Sequence, residues 1–386
     1  MMKTNRAGHF QRMPEGYDAF IPKPLPPDSL DLDEDLLLLL SKADRALAKL
    51  DGVTEVLPPN PDLFVAMYIK KEALLSSQIE GTQASLRGVL EFEADMKPKE
   101  DVNEIREVVN YIQAMGHGME KLTFAPFSLD LLNEIHRFLI KGTRGSARYP
   151  PGNIRTKQNW IGVPGTTIYD AIFVPPPPEN VPAILDDLMD FVTRKDKLPS
   201  LLKVAFIHAQ FETIHPYYDG NGRMGRLLIT FYLYYQGILS RPLLYLSFYL
   251  KKNQQEYYEI LNYVRFEGNW ERWIEFFLKG VVETSENSIE TARKIISLQN
   301  DLKNRLVEHS IGGGVASLRF IDFIFGNPIV SSSLVAEELS ISRQTATSML
   351  KKFEDAGIIT EITGQKRFKK YVFDEYLRII QEGIST

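Results

Sequence analysis

Not one of the 386 residues is a cysteine. That excludes a disulfide framework, a thiolate zinc site and a cysteine nucleophile. Histidine is scarce, at six. His208, Glu212 and His215 share helical spacing, but they do not form the HExxH pattern of zinc proteases, and the other histidines are scattered. A satisfied core or supporting role is the plainer reading of His208 and of His136. Long apolar runs are missing too. The strongest is Leu36 to Leu40, against roughly 20 residues needed to span a bilayer. The N-terminus has no apolar stretch of signal-peptide length. These absences point to a cytoplasmic protein with no membrane partner. Neither sign of charge dominates: 45 Lys and Arg face 50 Asp and Glu, a net charge of −5. Whole-chain attraction to nucleic acid is therefore not implied, although a local basic patch can hide in such an average. No GxxxxGK[ST] phosphate loop and no GxSxG elbow occur.

What is present is ample apolar mass, 44% of residues, enough for two or three domains at about 150 residues each. Pro22, Pro24, Pro26 and Pro27 remove helix options near the start, so the first thirty residues read as a loose extended arm. From Asp31 the pattern is helical. One helix closes at Asp51-Gly52, and the next runs from about Pro61 to Gln78, with Asn60 as N-cap. More helices are expected near 85–96, 101–121, 128–141, 180–195, 200–214, 221–238, 247–266 and 270–309. Residues 151–174 break this pattern. Two short β-type runs flank Pro164-Gly165, which predicts a hairpin. Glycines 312–314 mark a linker. Beyond it, helices at 331–339 and 343–354 and two β-runs around Gly364 spell a winged helix-turn-helix. The fold class is thus mainly α, with a β-hairpin and a small C-terminal winged helix. The expected domains are 1–100, 101–310 and 315–386.

The segment His215-Pro216-Tyr217-Tyr218-Asp219-Gly220-Asn221-Gly222-Arg223-Met224-Gly225-Arg226 carries the chemistry. Gly220 and Gly222 permit backbone conformations closed to other residues. The loop empties into a helix, so unpaired N–H groups and the positive dipole end face whatever the loop holds. Arg223 and Arg226 are three apart and share a face. Two guanidinium groups above an anion nest suit a polyphosphate. Asp219 offers one hard oxygen for Mg²⁺, which usually takes a carboxylate plus phosphate oxygens. His215 stands where a general base is needed. The plain alternative is a glycine-rich turn capping a helix with surface arginines.

This segment resembles the Fic family signature HPFx[DE]GNGRxxR, departing only in Tyr217 for the usual Phe. Tyr217 can pack in the core if its hydroxyl finds a partner. The resemblance implies a helical Fic fold and transfer of AMP from ATP to a Ser, Thr or Tyr hydroxyl of a protein. In that scheme His215 is the general base, Asp219 holds Mg²⁺, and the backbone of Gly220, Asn221 and Gly222 forms the anion hole. Arg223 neutralises the β-phosphate and Arg226 positions the γ-phosphate. Upstream, Ser76-Ser77-Gln78-Ile79-Glu80-Gly81 fits the family's inhibitory motif [ST]xxxE[GN]. By that resemblance Glu80 pairs with Arg226 and blocks productive ATP binding, and Ser76 opens the motif. On its own, without the signature, the segment reads as a polar helix end capped by Gly81.

The expected hairpin resembles the family's flap, along which a target protein lies as an added strand. Ile154, Asn159, Trp160 and Ile161 are its candidate contacts. Tyr257 and Tyr258 lie downstream, where the family packs aromatics near the nucleotide, with ordinary core packing as the alternative. In the C-terminal domain, Arg343, Lys351, Lys352, Lys366, Arg367, Lys369 and Lys370 outweigh Glu354, Asp355 and Glu361. That is a footprint for DNA phosphates, with dimerisation or target docking as the alternative use. The expected partners are a target protein at the flap, the chain itself as a target, DNA at the winged helix, and a second copy in a homodimer. Two other functions stay open: AMP removal or transfer of another nucleotide, and a DNA-binding regulator with a nucleotide-sensing core.

Overall fold

The computed structural model describes residues 5–53, 61–143, 145–147, 149–308, 311 and 314–382, with the backbone alone for 61–64 and 147. The cap expected at Asn60 and the linker glycines Gly312 and Gly313 lie outside the described residues.

The N-terminal arm is not loose. It forms an antiparallel hairpin of β1 (Gly8–Arg12) and β2 (Asp18–Pro22). Pro22 ends the second strand, and Pro24, Pro26 and Pro27 follow it, so they do not oppose it. Phe20 is fully buried, and its N–H donates to Val174 O at 3.0 Å. Arg6 grips both carboxylate oxygens of Glu271 at 2.7 and 2.6 Å.

Helix α1 (Glu34–Val53) starts at Asp33, whose carboxylate accepts the N–H of Leu36. It buries Leu36, Leu40, Ala43, Leu47 and Leu50, leaving Leu37 and Leu38 in solvent. This is the helical period, and its stripe lies along the last catalytic-region helix. Next come α2 (Pro61–Ile79), α3 (Leu86–Glu93), α4 (Val102–Leu122) and α5 (Leu129–Ile140). Then follow α6 (Val181–Thr193), α7 (Ser200–Ile214) and α8 (Asn221–Tyr235). Helix α7 is buried all round from Leu201 to Ile214, as a central helix must be.

The helix expected over 247–266 is two, α9 (Ser247–Lys252) and α10 (Gln254–Glu267). Asn253 divides them, because its side-chain amide donates to Tyr249 O and competes with the helical ladder. Helix α11 (Trp270–Glu308), 39 residues long, closes this region.

The C-terminal domain holds more than expected. Helix α12 (Gly314–Gly326) and strand β3 (Ile329–Ser331) precede α13 (Ser332–Leu339) and α14 (Arg343–Asp355). Strands β4 (Thr360–Glu361) and β5 (Lys370–Val372) then flank the wing, and α15 (Asp374–Gln381) ends the fold. The sheet order is β3-β5-β4, all antiparallel. Among the described residues, no helix is long and apolar enough to cross a membrane.

Candidate active site

The loop 215–220 joins α7 to α8 at the middle of the fold. His215 ends α7 in the left-handed conformation, φ 50°, and Gly220 opens α8 at φ 78°. Asn221 turns its side chain inward. Its Oδ1 accepts from Tyr217 N and its Nδ2 donates to Tyr217 O, both at 2.8 Å, so the amide pinches the loop shut. Tyr217 is buried, stacks on His136 at 3.8 Å, and donates its hydroxyl to Asn133 Oδ1 at 2.9 Å. The extra oxygen relative to phenylalanine therefore has its partner.

His136 does more than fill the core. Gly152 N–H donates to its Nδ1, so Nε2 carries the proton and donates to Asp219 O, both at 2.9 Å. One ring thus ties the flap to the signature loop. Burial lowers its imidazole to about 4, which keeps that single tautomer.

His215 Nδ1 is buried without a hydrogen-bond partner. Burial, helped by the charges of Arg265 and Arg155, lowers this imidazole to about 4. It is neutral near pH 7 and able to take a proton. Asp219 Oδ1 accepts from Gly220 N at 2.7 Å and lies 3.6 Å from Arg223 Nη2. Its Oδ2 fills the space that a Cβ at residue 145 would need, 1.9 Å away, so glycine there makes room for the carboxylate. Gly220's N–H is thus spent within the loop, which narrows the expected anion hole to the helix turn beyond it.

Arg223 is buried and reaches Glu107 Oε2 at 3.4 Å, while its Nε has no partner. Arg226 is buried and fully engaged. Its Nε donates to Ser76 Oγ at 2.8 Å, and its Nη2 donates to Ser76 O at 2.9 Å and to Glu80 Oε1 at 2.7 Å. Glu80 Oε1 also lies 2.2 Å from where a Cβ of residue 222 would stand. The carboxylate therefore sits over the first turn of α8. Burial works to raise Glu80's pKa, but the charge of Arg226 wins and holds it below the usual carboxylate value. Glu212 Oε1, beside Gly225, is buried without a partner, and burial raises that carboxyl to about 7.

The two tyrosines separate. Tyr258 is 43% exposed, and Gln254 bonds both its hydroxyl and Ile79 O. Tyr257 is buried and shares a hydrogen bond with His208 Nε2 at 2.8 Å. It reaches the site only through His208, whose Nδ1 pairs with Gly225 O, rather than offering a face to a nucleotide. With both ring nitrogens used, His208 does not join Glu212 and His215 as a metal ligand. Among the described residues, no group of three or more His, Asp or Glu could hold a metal by itself.

The flap is not a ladder. One bridge, Ile161 to Phe173, joins its arms. The N–H groups of its first arm go elsewhere: Arg155 N to Pro216 O, and Thr156 N and Lys157 N to the Tyr218 hydroxyl. Asn159 Nδ2 lies 3.2 Å from both His215 O and Tyr217 O. Ile154 and Ile161 are half-buried, and Trp160 is 42% exposed.

Arg155, which sequence reasoning did not single out, is the anchor. Buried, it donates to His215 O, Pro176 O and Ile214 O. Two of these are end carbonyls of α7, which are unpaired and negative. Arg155→Met is expected to cost about 3 kcal/mol of stability in chemical denaturation, since charged hydrogen bonds are lost from a buried site. Arg155→Lys should rescue little, because an ammonium lacks the fork. Full rescue by lysine would show that charge alone matters.

Family models carry the same pattern. The Fic/DOC family N-terminal model matches residues 37–120 and the Fic/DOC family model matches 126–233. The chain belongs to the Fic/DOC family. An HTH DNA binding domain model matches residues 318–371, in agreement with the winged helix. A probable protein adenylyltransferase of Aquifex aeolicus is 37% identical over 73 residues, which are 19% of this chain and 23% of that protein. The protein adenylyltransferase Fic of Nematostella vectensis is 28% identical over 48% of this chain and 41% of its own length. The chain thus spans less than half of the curated relatives it matches. A solved Fic family protein from Desulfovibrio desulfuricans superposes with a TM-score of 0.60 at 21% identity. It covers 90% of this chain and 98% of its own, so the fold is shared over most of the chain.

Proposed function

We propose that this Fic protein is a protein adenylyltransferase held off by its own Glu80. The observation that carries this reading is the carboxylate of Glu80 paired with Arg226 over the first turn of α8. A nucleotide polyphosphate needs that same turn and that same arginine. When Glu80 leaves, the α8 N-terminus, Arg223 and Arg226 together bind the phosphates of ATP. The neutral imidazole of His215 takes the proton from a Ser, Thr or Tyr hydroxyl of the target. The freed oxygen bonds to the α-phosphorus, the bond from that phosphorus to the bridging oxygen breaks, and pyrophosphate leaves. The chain's contribution is positioning and charge, as phosphoryl-type transfer requires. Asp219, whose Oδ2 lies against Gly145, suits a Mg²⁺ ion that would draw its other ligands from phosphate and water. Such an ion supplies charge neutralisation for the phosphates. The flap supplies the docking edge, with Trp160 exposed for the target.

The label decides. With Glu80→Gly protein, α-labelled ATP should mark protein and γ-labelled ATP should not, and His215→Ala in that background should remove the mark. A mark carried by the γ-phosphate would sink this reading in favour of a kinase-like reaction.

A further inference from the structure

The winged helix presents a basic face of two parts. On α14, Arg343, Gln344, Thr347 and Lys351 are all exposed on one side. On the wing, Lys366, Arg367 and Lys369 flank Phe368, which is 86% exposed. Phe368 also sits at φ 56°, a left-handed conformation that a bulky residue adopts only at a cost. An exposed apolar tip between cations suits the minor groove, and a polar helix face suits the major groove. Duplex DNA is the ligand this chemistry fits.

The same face borders a cleft of about 830 Å³ whose far wall is the C-terminal end of α3. That wall carries Glu93 and Asp95, two carboxylates opposite the basic wing. Lys370 donates its ammonium to Ala94 O, at the negative end of α3. One wing cation, Lys370, thus rests on the carbonyl end of α3, beside two carboxylates, where it would otherwise hold a phosphate.

Helix α3 is linked directly to the clamp. The short segment 80–85 joins it to α2, and Gln78 donates to Ala84 O across the bend. Within that segment Thr82 bonds Glu107, the same carboxylate that pairs with Arg223, and Gln83 N bonds Glu104. Glu93 in turn pairs with Lys70 of α2 at 2.9 Å. Moving the end of α3 therefore pulls on the residues that place Glu80 against Arg226.

We propose that duplex DNA and the acidic end of α3 compete for the wing, and that DNA, by displacing α3, loosens the Glu80–Arg226 clamp and favours nucleotide binding. The inference rests on the autoinhibited reading given above. Because linkage is reciprocal, nucleotide binding must favour DNA by the same factor.

The test uses the full chain and two titrations: a non-hydrolysable ATP analogue with and without duplex at low salt, and duplex with and without the analogue. Both affinities should rise together, on the order of tenfold. Lys366→Gln with Arg367→Gln should remove the duplex effect, and analogue binding without duplex should be no weaker than in wild type, because the same change relaxes the wing's hold on α3. Glu93→Gln with Asp95→Asn should tighten duplex binding without nucleotide. Duplex that binds but leaves analogue affinity unchanged overturns the coupling. Duplex that fails to bind at low salt, in wild type and in the Glu93, Asp95 variant alike, overturns the assignment to DNA and gives the face to a protein partner. Label transfer measured in the same samples keeps the two readings apart. An active Glu80→Gly beside a wild type unmoved by duplex overturns only the coupling. An inactive Glu80→Gly that binds the analogue overturns the transferase, while the two titrations still decide the coupling.

Discussion

Replacing Glu80 with glycine is expected to raise nucleotide transfer by about one to two orders of magnitude. The magnitude follows from the pair it breaks. A charge-assisted hydrogen bond contributes roughly 1.5–3 kcal/mol. Glu80's side chain is 35% exposed, so solvent trims the figure toward its lower half. At about 1.4 kcal/mol per tenfold, that loss corresponds to at least a tenfold gain in nucleotide affinity. Removing the carboxylate from the first turn of α8 adds a steric gain that the pair energy omits. Stability should move the other way. Arg226 is 2% exposed, and without Glu80 it is a buried cation whose remaining hydrogen bonds, among the described residues, go to Ser76. The variant should melt lower than wild type without nucleotide and gain more on adding ATP. Glu80→Gln, which keeps the shape and loses the charge, should fall between. Equal transfer by wild type and Glu80→Gly, each above a His215→Ala control, would falsify the clamp.

Stability is expected to fall by about 3–4 kcal/mol between about pH 7.5 and about pH 5. Burial holds His136, His208 and His215 at about 4, 3 and 4 in the folded chain. All three start from an ordinary value near 6.5. Below that value the unfolded chain takes up protons that the folded chain refuses. Each histidine therefore contributes stability at neutral pH that is lost as the pH falls from about 6.5 toward its folded value. At pH 5 that loss is about 2 kcal/mol for each. Glu212 has the opposite sign. Its carboxyl is raised by burial to about 7, so its contribution is full below about 4.5 and is lost as the pH rises through 7. On acidification it offsets roughly one histidine. Thermal or denaturant melts at the two pH values measure the difference, and His136→Asn should shrink it by roughly one histidine's share. Melts that superpose at both values would show that these rings are more hydrated than their burial implies.

Much of the site was legible because it is local. His215, Asp219, the glycines and the arginines lie in one loop and one helix turn, and their spacing places them without help from the rest of the chain. The winged helix was legible for the same reason, since two helices and a turn announce themselves in sequence. Two elements were misread and a third was open between two readings, each where a distant contact decides the outcome. The arm became a hairpin because Phe20 is buried against the core and bonded to Val174. The flap lost its ladder because its N–H groups answer Pro216 and Tyr218 instead of each other. Tyr257 turned inward because His208 accepts its hydroxyl. Helix α12 was hidden behind glycines 312–314, which read as linker although Gly314 opens a helix.

The amino-acid sequence alone thus determined the chemistry available: a histidine base, one carboxylate for a metal, paired arginines, a backbone nest and a glutamate at motif spacing far upstream. Tertiary structure alone decided what those groups meet. It set Glu80 on Arg226 across 146 positions of chain, Arg155 on the end carbonyls of α7, and the wing on the acidic end of α3. The physical reason is range. Helix period, capping and loop glycines act over a few residues, whereas an ion pair between distant segments exists only after the core has packed and brought both charges out of water together.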